Sequence, residues 1–320
     1  MDKFQLQNNP GRTALIEGKE WLFFSGYDYL GIQQHPQFVA LVKEGIDKYG
    51  WIFPSSRISN TQLPLFEAFE NYISEITGFD DCIILSSGFL AGELATSLWK
   101  DELHNLQPSH PAIDRSVYEH NKKRLAFDSV DIFRANIFRP SQEVIEQAET
   151  IVVDDSHGFG LLGNEGEGYS AFIDQKNKEK YLLCFSLSKA WSINGGVVCG
   201  SESVIEKLRT NHRYTAATAP SPALLYAAMN ARDIYQSQLE KLKSTIAYLR
   251  SKNLSLSSNK HLPVFILPPT ISEERLQRRK IIISSFAYPD PNGQKLNRII
   301  LNSLHTKADM DFLIEALSEE

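Results

Sequence analysis

Short, uninterrupted apolar runs alternate with longer stretches of helical period through the first two thirds of the chain. This is the pattern of a sheet buried on both faces by helices. The runs at 82–86 (CIILS), 150–154 (TIVVD), 181–186 (YLLCFS) and 195–199 (GGVVC) predict strands. Ser221 followed by Pro222 reads as an N-cap with proline at the first helical position, and neither glycine nor proline recurs until Pro263. Leu225, Ala228, Tyr235, Leu239, Leu242, Ile246 and Leu249 draw one apolar stripe, interrupted by Arg232, and predict a long helix joining two lobes. Beyond it, VFIL (264–267), KIII (280–283), RIIL (298–301) and an amphipathic stretch from Lys307 predict a small α+β lobe. The fold class is therefore α/β, a large lobe on a mostly parallel central sheet with a smaller α+β C-terminal lobe. The expected divisions are an N-terminal segment 1–40, the large lobe 41–215, and the linking helix with the small lobe 216–320.

Composition narrows the function. The 320 residues are 42% hydrophobic and 22% charged, ordinary globular usage that disfavours disorder or coiled coil as the whole fold. The longest apolar runs fall far short of the roughly 20 residues of a membrane span. The start MDKFQLQNNPGR lacks the basic end and apolar stretch of a signal peptide, so a cytoplasmic address is expected. Cys82, Cys184 and Cys199 each sit in an apolar strand, which suits buried reduced thiols and gives no zinc or disulfide framework. The net charge of −6, without a basic stripe, gives no nucleic-acid groove. Small-molecule chemistry is the reading left.

Four local features carry that chemistry. In FSLSKAWSINGGVVCG, Lys189 follows an apolar strand, with Ser186 and Ser188 on one side if the strand persists. A lysine in a dry pocket has a depressed pKa and can condense with an aldehyde, whereas a solvated lysine would do neither. In TIVVDDSHGFG, a buried strand delivers Asp154, Asp155 and His157 to a sheet edge where α/β folds place ligands. Asp154 directly ends the apolar run and is the candidate inner acid; the alternative is that both aspartates cap the turn. In CIILSSGFLAGEL, Ser87 and Gly88 stand at a strand-to-helix turn of the kind that binds phosphate or simply caps a helix. In YTAATAPSPALL, Thr218 precedes the long helix, where plain turn chemistry would equally account for it. Phosphate cradle, acid, imidazole and amine on successive strands together point to pyridoxal 5'-phosphate.

With those residues in place, the chain resembles the α-oxoamine synthase family of fold type I pyridoxal-phosphate enzymes. FFSGYDYLGI is similar to the family's F-S-S-N-D-Y-L-G-L, SSRIS to its S-R-x-x-x-G-T loop, and PSHPAI to its S-H-A-S stretch. VDDSHGFGLLGNEGEG is very close to V-D-D-A-H-G-x-G-x-x-G-x-x-G-x-G, and the stretch before Pro222 resembles T-T-A-x-P-P-A. The resemblance implies Ser87, Gly88 and Phe89 as phosphate and ring neighbours, and His110 stacked on the pyridine ring. It further implies Asp154 at the ring nitrogen, His157 at the 3'-oxygen, Ser186 on the phosphate and Lys189 as the Schiff-base lysine. Thr218 would reach the phosphate of a neighbouring subunit, which implies a homodimer. The implied activity is transfer of an acyl group from acyl-CoA to an amino acid.

Departures point elsewhere. Tyr27 replaces the family's asparagine, and ISSFAYPDP offers Tyr288 where the family has the arginine of A-I-R-P-P. Neither tyrosine replaces the charge that holds an amino-acid carboxylate; Arg57, or Arg12, either takes over that carboxylate or is a surface or loop-ordering arginine. The chain is shorter between His110 and Asp154, and reads as lacking a family strand and the S-M-D-G loop there. An aminotransferase or lyase reaction, and a non-catalytic relative, are the alternatives these departures leave.

Overall fold

The computed structural model describes residues 4–99, 102–106, 123–287, 293 and 295–318, so His110 and Tyr288 lie outside the described residues. The first half runs β1 (Thr13–Ile16), β2 (Lys19–Phe24), α1 (Pro36–Tyr49), α2 (Pro64–Thr77), β3 (Asp81–Leu85), α3 (Gly88–Thr96), β4 (Leu103–Asn105), β5 (Arg124–Asp128), β6 (Val130–Asp131) and β7 (Asn136–Ile137). It continues through α4 (Gln142–Gln147), β8 (Thr150–Asp154), β9 (Tyr181–Ser186), β10 (Gly196–Gly200), α5 (Glu202–Arg209) and α6 (His212–Thr215). The remainder is α7 (Pro222–Met229), α8 (Arg232–Arg250), β11 (Val264–Ile266), α9 (Glu273–Arg278), β12 (Ile281–Phe286), β13 (Leu296–Ile300) and α10 (Lys307–Ser318).

The large sheet has the order β3-β10-β9-β8-β5-β4 among the described residues. β9, β8, β5 and β4 pair in parallel, and β10 runs antiparallel to both neighbours. The connection 187–195 explains that reversal: it is too short for the crossover a parallel partner needs, so β10 folds back as a hairpin. Helices cover both faces. One apolar layer gathers Phe69, Ile84, Val153, Phe159, Phe185 and Trp191; the other holds Ile83, Ala126, Val152, Leu182 and Val198. The three cysteines are buried free thiols, with Cys82 opposite Cys199 across β3 and β10.

Two sequence expectations are corrected here. The strand read as missing before Asp154 is present as β5, paired from Arg124↔Thr150 to Asp128↔Asp154. It escapes the pattern because only Leu125, Ala126 and Phe127 lie between its charged ends. The long linking helix is two helices, α7 and α8, broken at Asn230–Ala231. Arg232, which interrupts the stripe, begins the second of them and pairs with Glu165.

The second sheet has the order β1-β2-β12-β13-β11. The N-terminal strands are thus built into the C-terminal lobe, with β2 parallel to β12 from Leu22↔Ile281 to Phe24↔Ile283. This pairing carries Ser25 to Tyr29 to the seam between the sheets.

Candidate functional site

The register places Asp128, Asp154 and Cys184 side by side at the carboxyl ends of β5, β8 and β9. β9 ends two residues later at Ser186, and the chain turns through Ser188 to Lys189. Here a cavity of about 360 Å³ opens against the small sheet, and its lining includes Tyr27, Tyr29, His157, Lys189, Phe286 and Arg298. Both sheets and the N-terminal segment contribute walls, a setting in which α/β proteins collect ligands.

Lys189 is half-buried in that cavity. Desolvation lowers its pKa, opposed by the nearby carboxylates of Asp154, Asp128 and Asp155. His157 is held by Tyr29, whose hydroxyl lies 2.8 Å from Nδ1. Burial raises the Tyr29 pKa, which keeps that hydroxyl neutral, with the Arg298 charge acting in the opposite direction.

The two aspartates after β8 separate cleanly. Asp155 is fully buried, accepts the Tyr169 backbone N–H at 2.7 Å, and is pressed by Gly158 and Gly168, where any Cβ would meet its carboxylate at about 2 Å. It therefore staples the glycine-rich 158–168 turn, and desolvation raises its pKa to about 7. Asp154 is only partly buried and accepts the Ser156 N–H at 2.8 Å. Turn-capping thus falls mainly to Asp155, which leaves Asp154 on the Lys189 side of the strand end.

The turn from β3 into α3 closes on the end of β9. Ser87 caps α3 by accepting the Leu90 N–H, and a Cβ on Gly88 would meet Ser186 at 2.4 Å, so only glycine permits this approach. Ser186 Oγ lies 2.7 Å from Ser188 Oγ, as their spacing predicts. Ser87, Gly88 and Ser186 are therefore brought together at the end of β9, three residues before Lys189. Phe89 instead points outward, 71% exposed, and Thr218 is exposed before α7 without joining the cavity.

The carboxylate anchors expected from the sequence are corrected. Arg57 is buried away from the cavity, donating to Glu70 at 3.0 Å and stacking on Phe66 at 4.5 Å. Arg12 pairs with Asp309 at 2.7 Å. Tyr27 does line the cavity. Besides Lys189, the cation that lines it among the described residues is Arg298 of β13, which the sequence pattern hides as part of an apolar strand. Arg298 is 7% exposed, stands over Phe286 at 5.1 Å, and donates to Ser284 Oγ at 3.4 Å. Burial lowers its pKa. A charge inside RIIL demands an anion, and that demand is the signal that would have exposed it.

Solved structures share this fold. A serine palmitoyltransferase from S. paucimobilis superposes with a TM-score of 0.81 at 19% identity, covering 98% of this chain and 91% of that one. The 8-amino-7-oxononanoate synthase of Francisella tularensis superposes at 0.74 with 23% identity, covering 93% and 97%. The fold is that of the fold type I pyridoxal-phosphate transferases. The chain belongs to the aminotransferase class I and II family, which matches residues 143–317. Similar sequences include the 8-amino-7-oxononanoate synthases of Coprothermobacter proteolyticus, 26% identical over 95% of this chain and 89% of that one, and of Stutzerimonas stutzeri, 27% identical over 98% and 91%.

Proposed function

We propose that the protein is a pyridoxal-phosphate-dependent enzyme of the α-oxoamine synthase kind, joining an amino acid to an acyl thioester as an 8-amino-7-oxononanoate synthase does. The observation that carries this reading is the meeting of Lys189, His157, Tyr27 and Arg298 in one cavity, with Asp154 at the adjoining strand end. The residues fit the cofactor: the close approach of Gly88 to Ser186 forms a cradle of hydroxyls at the N-terminus of α3, suited to a phosphate. When bound there, pyridoxal phosphate supplies an aldehyde and an electron sink for negative charge at the amino acid's α-carbon.

The chain's own residues do the rest. Ser87, the Gly88 backbone and Ser186 would hold the phosphate, and Asp154 would keep the ring nitrogen charged. His157, oriented by Tyr29, would face the ring oxygen. Lys189, its pKa lowered by burial against the opposing carboxylates, would take a proton from the α-carbon and later return it. Arg298 would grip the substrate carboxylate, a charge-assisted contact strengthened by the enclosed site. Phe286 and Ile300 on the cavity wall limit water around it.

Arg298 also bears on the alternatives. Tyr27 in place of asparagine argued for a substrate lacking a carboxylate or for a chain without turnover, and a buried arginine facing Lys189 removes that motive. A homodimer belongs to the same reading. Trp51, Ile52, Ile58 and Phe89 are large apolar side chains at 61–71% exposure, an unusual surface for a monomer, and Thr218 is free to reach a partner's phosphate. The testing experiment supplies acyl-CoA with a panel of amino acids and measures released thiol, with Lys189→Ala as the control. Thiol release that depends on Lys189 supports the reading; keto-acid formation without thiol release would replace it with transamination.

A further inference from the structure

The segment between β2 and α1 supplies Tyr27 and Tyr29 to the cavity, and a connecting segment is mobile unless something fixes it. Here the turn that follows β13 fixes it. The Ser303 N–H donates to the Tyr29 carbonyl at 3.0 Å, and the Ser303 hydroxyl donates to the Leu30 carbonyl at 2.6 Å. From α8, the Gln238 amide nitrogen donates to the same pair, to the Leu30 carbonyl at 3.1 Å and to Ser303 Oγ at 3.0 Å. Its amide oxygen accepts Lys241 Nζ at 2.7 Å, so both ends of the Gln238 amide are partnered.

Gln238 and Ser303 are both buried, in positions where apolar side chains would also pack. What a satisfied buried polar group adds is geometry, because a slip would leave a donor or acceptor unpaired in the core. The slip that this clamp forbids is one along the segment bearing Tyr29. The Tyr29 N–H donates to the Tyr27 carbonyl at 2.8 Å, so both backbone polar groups of Tyr29 are pinned. Gly31, at φ +58°, lets the turn come close, since any Cβ there would meet Leu304 Cγ at 2.5 Å. From this anchored backbone the Tyr29 hydroxyl reaches across to His157 Nδ1 on the large lobe, at 2.8 Å. Arg298 stands on the same continuous stretch of chain, five residues before Ser303.

We infer that Ser303, backed by Gln238, is a positioning residue that sets the register of Tyr29 and, through its hydroxyl, the orientation of the His157 ring, an inference that rests on the pyridoxal-phosphate reaction proposed above. The stretch of chain that presents Arg298 to the substrate carboxylate is then also the one that aims the imidazole. One small-lobe segment governs both contacts.

Histidine-ring NMR on the full-length protein, with and without pyridoxal phosphate, tests this assignment. The His157 signal is identified by its loss in His157→Gln, and its titration midpoint in Tyr29→Phe gives the shift that a released ring shows. Ser303→Ala and Gln238→Met are each expected to move the midpoint in that direction. Arg57→Ala, which costs stability away from the cavity, is expected to leave it in place. In thiol release, Ser303→Ala should lower kcat about two- to fivefold with amino-acid affinity unchanged, and should cost nothing further when added to Tyr29→Phe. A His157 midpoint unmoved in both variants would overturn the inference, as would losses that simply add in the double variant. Coupling seen by NMR in a protein that releases no thiol keeps the clamp and removes the condensation. Thiol release with a His157 ring indifferent to Ser303 and Gln238 removes the clamp and leaves the condensation.

Discussion

Arg298→Met should move stability and substrate affinity in opposite directions. In the free protein the guanidinium is 7% exposed, its Nε has no hydrogen-bond partner among the described residues, and its Nη2 contact with Ser284 is a long 3.4 Å. Replacing a poorly compensated buried charge by an apolar side chain of similar reach stabilises a protein by roughly 1–4 kcal/mol. The loss of the cation–π contact with Phe286, worth about 1 kcal/mol, argues for the lower part of that range. Thermal unfolding should therefore rise by a few degrees. Losing a charge-assisted contact of about 1.5–3 kcal/mol should meanwhile weaken amino-acid binding roughly 10- to 100-fold. The assay is the absorbance change of the cofactor-loaded protein on titration with an amino acid, against a matched amine lacking the carboxylate. The amine should bind equally well to both proteins. Unchanged amino-acid affinity, or an equal loss for the amine, would refute the assignment of Arg298 to the carboxylate.

Other residues give independent checks. The pKa of Asp155 is raised by burial to about 7 from its ordinary 3.8, so the folded state binds a proton more tightly than the unfolded state, and stability falls as pH rises from about 4 to 7. Asp155→Asn keeps the acceptor for Tyr169 and should remove that slope, raising stability at pH 8 by no more than about 4 kcal/mol while leaving pH 4 unchanged, read by denaturant unfolding at both pH values. Arg57→Ala should destabilise by roughly 2 kcal/mol, because Glu70 retains Arg209, and should leave amino-acid affinity untouched; a changed affinity would restore Arg57 to the site. Tyr29→Phe releases the His157 ring and should lower kcat/KM roughly three- to tenfold, with a shifted pH profile that a merely structural role would not give.

Much of the large lobe is legible in the sequence because β3, β8, β9 and β10 are buried on both faces and must be continuously apolar, leaving a signal that polar face-sharing cannot blur. The same burial makes Asp154, Ser186 and Lys189 readable, since each polar residue stands where an apolar run stops. Arg298 is hidden for the converse reason: its neighbours in space are Tyr29, in the turn after the distant β2, and Phe286, at the end of the adjacent β12, and no local spacing marks it. Arg57 misleads because its partner Glu70 lies in α2 with its carboxylate turned inward to Ile84, an orientation that helical periodicity does not reveal. The break between α7 and α8 is likewise tertiary, since the apolar spacing runs on through it.

The parallel pairing of β2 with β12 has a consequence for how the molecule comes into being. Leu22 waits on a ribosome-delivered partner some 260 positions later, as the Leu22↔Ile281 register shows, so the smaller sheet closes only after β12 has been made. Until then the nascent chain carries Lys189 on a largely assembled platform without Arg298 opposite it, and the emergence of β13 completes that wall of the cavity.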